Sequence, residues 1–243
     1  MMRYIVLILC LIGFSMLNAS ELVSYQESLD KFISKSKSTP SKFSKDDRVL
    51  MQKEAESLAK FLPSPGIKVG NKAPDFSLKN AFGKEVSLYS ELKKGPVILV
   101  FYRGAWCPFC NMHLHTLQDS LDSFKKYKAQ LITITPQTPD KSTQQIKKDG
   151  YPFEVLSDLD DKVMKDYNLY FKLSKELDTL YKNKGLDIES FNGKNRIALP
   201  VPGSFVIDTN GVIRAMQADT DYMKRMEPKA IIEALKEISK GYL

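Results

Sequence analysis

The sequence predicts an α/β fold, a mixed central sheet flanked by helices, with a helical extension at its N-terminal end. Three observations predict it. Residues 96–102, PVILVFY, form a continuous apolar run of strand length, the mark of a strand buried on both faces. From residue 76 onward, strand-like runs alternate with helix-period segments, an order that builds a sheet covered by helices. Near the C-terminus, SFVIDTNGVIRAMQ reads as an antiparallel hairpin turning at Thr209-Asn210-Gly211.

Taken in order, residues 1–19 carry Arg3, an apolar run from Tyr4 to Leu17 and the small residues Asn18-Ala19, with Ser20 following. That is the pattern of a secretory signal peptide, and the run is shorter than the roughly 20 apolar residues a spanning helix needs. An uncleaved anchor is the alternative. Residues 20–65 form the extension: LVSYQESLDKFISK and SKDDRVLMQKEAESLAKFL place apolar residues at three- and four-residue spacing, with Ser44 capping the second segment. STPSK breaks the two, and PSPGIKVGNKAP opens the main domain, residues 66–243. FSLKNAFGKEVSL reads as two short strands around Gly83, and residues 110–128 as one helix with Leu114, Leu117, Leu121 and Phe124 as its apolar stripe. QLITITP is the next strand, TPDKSTQQIKKDG a helix stopped by Gly150, and FEVLSD a short strand. DDKVMKDY and SKELDTLYKNK read as helices, residues 184–199 as irregular, and EPKAIIEALKEISKG as a terminal helix ended by Gly241.

A net charge of +7 raises the question of a nucleic-acid partner. Lysines and acids alternate through the chain without a dense basic block, so the surface reads as solvated and nucleic acid is excluded. With 243 residues, 43% of them hydrophobic, the chain buries a core without covalent staples. It carries Cys10, Cys107 and Cys110, and signal cleavage removes the first. A single C-x-x-C pair, in a compartment where disulfides persist and in a chain that does not need one, points to chemistry rather than stability.

The pair lies in YRGAWCPFCNMHLH, residues 102–115, between the end of the buried strand and the start of a helix, where open α/β sheets place their chemistry. Unpaired N–H groups and the positive end of the helix dipole favour a thiolate there. Pro108 presets the first turn. Cys107 is accordingly expected to be the more exposed and more acidic thiol, and Cys110 the shielded partner that resolves a mixed disulfide. His113 and His115 extend the motif to C-x-x-C-x-x-H-x-H, a possible zinc set. Two histidines two residues apart on a helix face different ways, so both are expected at the solvent and no metal is assigned. Covalent haem requires C-x-x-C-H, and Asn111 stands where that histidine belongs. No cofactor is needed, since sulfur itself carries the electrons.

NKAPDFSLKNAFGKEVSLYSELKKGPVILVFYRGAWCPFC, LPVPGSFVIDTNGVIR and DYMKRMEP strongly resemble the peroxiredoxin superfamily, the alkyl hydroperoxide reductase and thiol-specific antioxidant group. The resemblance covers residues 66–243 and implies a thioredoxin-like fold. Against the family's F-Y-P-x-x-x-T-x-x-C, Arg103 replaces the proline, Cys107 replaces the threonine and Cys110 takes the peroxidatic position. Trp106-Cys107-Pro108-Phe109-Cys110 equally resembles the W-C-x-x-C of thioredoxin-like reductases, in which the first cysteine attacks. The catalytic arginine that many peroxiredoxins carry before the strand resembling SFVID is missing. Pro202 there resembles the cis-proline of thioredoxin-fold reductases, which with Trp106 and Pro108 would shape a substrate groove. Arg103 is positioned to restore a positive charge beside the sulfur.

The resemblance implies a thiol-dependent peroxidase that reduces a hydroperoxide through a Cys107/Cys110 cycle. Its electron donor is a thioredoxin-like protein or a membrane dithiol. The alternative is an exported thiol–disulfide oxidoreductase acting on protein disulfides. In either case the expected location is the periplasm or another extracytoplasmic space. Helix placement favours Cys107 as the attacking sulfur and family alignment favours Cys110, so their order stays open.

Overall fold

Two capped helices lead the main domain. The computed structural model describes residues 22–38 and 40–241; the signal-peptide reading of residues 1–19, with Cys10, lies outside them. In α1 (Tyr25–Lys37) the Ser24 side chain accepts the N–H of Glu27, and in α2 (Lys45–Phe61) Ser44 and Asp47 close a reciprocal capping box. Then come the short strands β1 (Ser77–Lys79) and β2 (Glu85–Ser87), the one-turn α3 (Leu88–Leu92), and β3 (Val97–Phe101). α4 (Pro108–Asp119) and α5 (Leu121–Lys125) lead to β4 (Gln130–Thr135), α6 (Pro139–Asp149) and β5 (Glu154–Ser157). α7 (Lys162–Asp166), β6 (Tyr170–Lys172), α8 (Lys175–Asn183), α9 (Glu189–Asn192) and β7 (Ala198–Pro200) follow. The hairpin of β8 (Gly203–Ile207) and β9 (Ile213–Ala218) and the helix α10 (Pro228–Lys240) complete the chain.

The central sheet has five strands in the order β5-β4-β3-β8-β9. β5, β4 and β3 run parallel, and β8 and β9 run antiparallel, giving the mixed sheet of a thioredoxin-like fold. β3 lies at its centre with all five residues buried, as an uninterrupted apolar run requires. Alternation along β3 sends Val97, Leu99 and Phe101 to one face, where Phe101, Tyr167 and Phe205 meet with ring centroids 5.0–6.0 Å apart. Ile98 and Val100 face the other side and pack with Leu114, Leu117, Ile231, Leu235 and both cysteines.

The expected helix over residues 110–128 is two helices that break at Ser120. The Ser120 hydroxyl donates to the Thr116 carbonyl at 2.9 Å, the local back-bonding by which serine bends a helix. Residues 184–199 are not wholly irregular: they hold α9 and β7, and β7 pairs antiparallel with β6. Pro202 is not a cis-proline. Every described peptide bond is trans; Val201 donates to the Leu169 carbonyl at 2.7 Å, and Gly203 enters the β8 ladder opposite Phe101. The segment passes straight into the sheet and needs no reversal.

The extension packs onto the domain rather than trailing from it. α2 lies along α8, joined by a Lys184–Asp47 ion pair at 2.6 Å. α1 lies against α4, with Tyr25 and Leu29 buried. Among the described residues no helix is long and apolar enough to cross a membrane.

Candidate functional site

The loop from β3 into α4 is fixed before its cysteines are. Tyr102 donates its N–H to the Ile134 carbonyl at 3.0 Å, which extends the sheet by one residue. Gly104 takes φ +143°, and the fully buried Gln137 receives the Ala105 N–H on its Oε1 at 3.0 Å. Asn111 of α4 donates to the Ala105 carbonyl at 2.7 Å, and Gln145 in turn donates to Asn111 at 3.0 Å. Tyr102 and Gln137 both donate to Gln145 Oε1, at 2.8 and 3.0 Å. These buried amides tie the loop to α6 and set the start of α4.

Cys107 is the N-cap residue of α4, and its sulfur accepts the Cys110 N–H at 3.3 Å. Pro108 occupies the first turn and is exposed. The free sulfurs of Cys107 and Cys110 are 2.6 Å apart. A different arginine reaches each: Arg103 Nη2 lies 3.3 Å from the Cys107 sulfur, and Arg225 Nη2 lies 3.6 Å from that of Cys110. Both arginines are only 8% exposed. The Arg103 guanidinium carbon lies 4.3 Å from the Tyr222 ring centre and 5.2 Å from that of Trp106. Tyr222 packs on Phe109 at 5.3 Å, and Phe109 on Phe32 of α1 at 5.5 Å. These side chains roof the pair, and a groove of about 520 Å³ between α2, α8 and residues 219–223 has Arg103 in its lining.

Cys107 is not the more exposed thiol, although its sulfur does receive the helix-start N–H of Cys110. Cys107 is 0% exposed and Cys110 1%. Burial opposes the Cys110 thiolate, but a hydrogen bond from the Cys107 thiol and the charges of Arg225 and Arg103 hold Cys110 well below the ordinary cysteine range. Burial pushes Cys107 well above that range, and so does donating its proton to Cys110. The two thiols titrate as a pair, and both arginines favour a thiolate within it.

His113 is not at the solvent either. It is 1% exposed, with Nε2 3.0 Å from the Met226 carbonyl and its ring edge-on to Tyr25 at 5.4 Å. Burial, then the charge of Arg225, pushes its pKa down to about 3, so it is neutral at ordinary pH and Nε2 carries the donated hydrogen. His115 is exposed beside Tyr151, so the two histidines do face different ways. Among the described residues no group of three or more histidine, cysteine or carboxylate side chains gathers at one point.

Arg103, Trp106, Cys107, Pro108 and Cys110 therefore come together in one place. Pro202, buried at the start of β8, makes no recorded hydrogen bond with them. Sequence reasoning missed Arg225. It sits in the DYMKRMEP segment that carries the resemblance, but 115 positions from Cys110 no local spacing marks it. Sequence reasoning also missed Tyr25 and Phe32, whose extension seemed remote from the chemistry.

Residues 69–216 match the AhpC/TSA family. Among characterised relatives, the chloroplastic peroxiredoxin Q of Suaeda salsa is 33% identical over 170 residues, which are 69% of this chain and 65% of that protein. Peroxiredoxin Bcp of Escherichia coli (strain K12) is 28% identical over 147 residues, 60% of this chain and 83% of that one. The crystal structure of peroxidoxin BcpB from Mycobacterium tuberculosis superposes with a TM-score of 0.56 at 20% identity, covering 71% of this chain and 98% of the other, a likeness of fold.

Proposed function

The chain belongs to the AhpC/TSA family, and from that premise we propose that it is a thiol-dependent peroxidase reducing hydroperoxides through Cys110 and Cys107. The observation that carries this reading is the sulfur pair: 2.6 Å apart, with an arginine on each member. In the proposed cycle the Cys110 thiolate attacks the terminal oxygen of the peroxide. An S–O bond forms, the O–O bond breaks, and the departing alkoxide takes a proton to become the alcohol. Arg225 holds the thiolate and offers N–H donors to the oxygens as charge moves onto them. Cys107 then attacks the Cys110 sulfenic acid; the S–S bond forms and the oxygen leaves as water. Arg103 assists by favouring the Cys107 thiolate in this second step. Sulfur loses two electrons and the peroxide gains two. A dithiol donor returns two electrons and two protons.

In this scheme Trp106 and Tyr222 steady Arg103, which also lines the groove between α2 and α8. Pro108, exposed beside the pair, belongs to the face a thioredoxin-like reductant meets; a membrane dithiol is the other class of donor. The pattern of residues 1–19 supports export to the periplasm or another extracytoplasmic space, and the mass of the mature N-terminus tests it. A thiol–disulfide oxidoreductase gains less support, since both sulfurs are sealed, at 0% and 1% exposed, and a protein disulfide needs a wider approach than a small peroxide.

The test is peroxide consumption by the purified protein with a thioredoxin-type reductant. The native protein is expected to consume peroxide, and the Cys107→Ser/Cys110→Ser double variant to do nothing. Equal rates for the two would end the proposal.

A further inference from the structure

The segment carrying Arg225, residues 219–227, lies between β9 and α10 without helix or strand of its own. Locally, the Asp221 and Met223 N–H groups donate to the Asp219 and Asp221 carboxylates at 2.8 and 3.0 Å, and Arg225 Nη1 donates to the Lys224 carbonyl at 2.8 Å. The rest of what holds the segment in place comes from α1 and α4. The Tyr25 hydroxyl donates to the Met223 carbonyl at 2.7 Å. The Tyr25 and Gln26 N–H groups donate to the two carboxylate oxygens of Glu227, at 3.0 and 2.8 Å. Glu227 is the N-cap residue of α10, yet its side chain makes no cap bond there and serves the open end of α1 instead. His113 of α4 takes the Met226 carbonyl at 3.0 Å and packs against the Tyr25 ring. Both sides of Arg225 are thereby pinned, at Met223 and at Met226–Glu227. Tyr25 is 1% exposed, so this is a seated contact and not a surface brush.

We infer that α1 is part of the redox site: Tyr25 is a positioning residue that, with Glu227, fixes residues 223–227 so that Arg225 stays on the Cys110 sulfur. This rests on reading the cysteine pair as a redox centre, though not on peroxide as its oxidant. The extension then has a job that its distance in sequence conceals. Detaching α1 frees the Arg225 segment, and the charge nearest Cys110 is lost without any change at the cysteines.

Of the groups that face the sulfurs, Arg103 and Arg225 are the charges; Tyr25, Tyr102, Tyr151, Tyr181 and His113 are neutral near pH 7, the tyrosines because burial raises them, Tyr25 to about 12. A change at Tyr25 that leaves the ring in place therefore reaches Cys110 through Arg225.

The experiment titrates the thiolate of the reduced protein by its ultraviolet absorbance, against the double-serine variant as blank. The substitutions are Tyr25→Phe, which removes only the hydroxyl, and Glu227→Gln. Each is expected to raise the thiolate midpoint by about 0.5 to 1 unit, roughly a three- to tenfold loss of thiolate at a fixed lower pH. In an Arg225→Ala background the same substitutions are expected to move nothing further. No shift in either variant overturns the inference. An equal shift in the Arg225→Ala background also overturns it, since the effect would not then pass through Arg225. If the titration behaves as expected while the native protein consumes no peroxide, the peroxidase proposal falls and the positioning role of Tyr25 stands.

Discussion

Arg225 Nη2 lies 3.6 Å from the Cys110 sulfur, a contact between residues 115 positions apart. Because a guanidinium is always charged and presents several donors in one plane, it can hold both the thiolate and the oxygens of an incoming peroxide. Removing it as Arg225→Ala is expected to lower kcat/KM for peroxide on the order of a hundredfold, the scale of losing one preorganised donor at a developing charge. Arg225→Lys keeps the charge but not the fork, and should recover part of that loss. Steady-state kinetics of the two variants check this; a full rate in Arg225→Ala would remove Arg225 from the chemistry.

Burial of His113 ties stability to pH. Its folded pKa, about 3, lies below the unfolded value, so between those limits the unfolded chain binds the extra proton. Stability is therefore complete above the unfolded pKa of about 6.5 and falls as pH drops below it. From pH 7 to pH 5 the loss is expected to be about 2 kcal/mol from this residue alone. His113→Gln keeps a donor for the Met226 carbonyl and cannot charge, so its stability should change less over that range. Urea unfolding of both proteins at the two pH values measures the difference.

Gly104 has the narrowest margin in the active loop. A Cβ there would stand 2.6 Å from Trp106 Nε1 and 3.3 Å from Gln137 Oε1, at a φ of +143° that side chains rarely adopt. Gly104→Ala is expected to cost about 1–3 kcal/mol of stability. It should also slow turnover, because Trp106 packs on Arg103 and Gln137 holds Ala105. Thermal unfolding with parallel kinetics tests it, and a variant of native stability would show that the loop has room to adjust.

Signals written in neighbouring residues were legible. β3 announced itself by five consecutive apolar residues, α2 by Ser44, and α6 and α10 by the left-handed glycines Gly150 and Gly241. The nearness of Cys107 and Cys110 was legible from their spacing, and so was their place at a strand–helix junction. What escaped depends on distant partners. β6 and β7 are three residues each, too short to show a period, and exist because they pair. The inward turn of His113 depends on the Met226 carbonyl, 113 positions away. The helix dipole argued for an acidic Cys107. It did not foresee that both thiols would be sealed from water, each with an arginine from a separate part of the chain beside it.

The short gap between Cys107 and Cys110 also governs how the molecule fails. Overoxidation to sulfinic acid requires a second peroxide to find a sulfur already carrying oxygen. With its partner thiol on the same helical turn, that sulfur is captured without any local unfolding. A peroxidase working by the proposed cycle would keep turning over through a surplus of oxidant, its endurance set by how fast the reductant arrives.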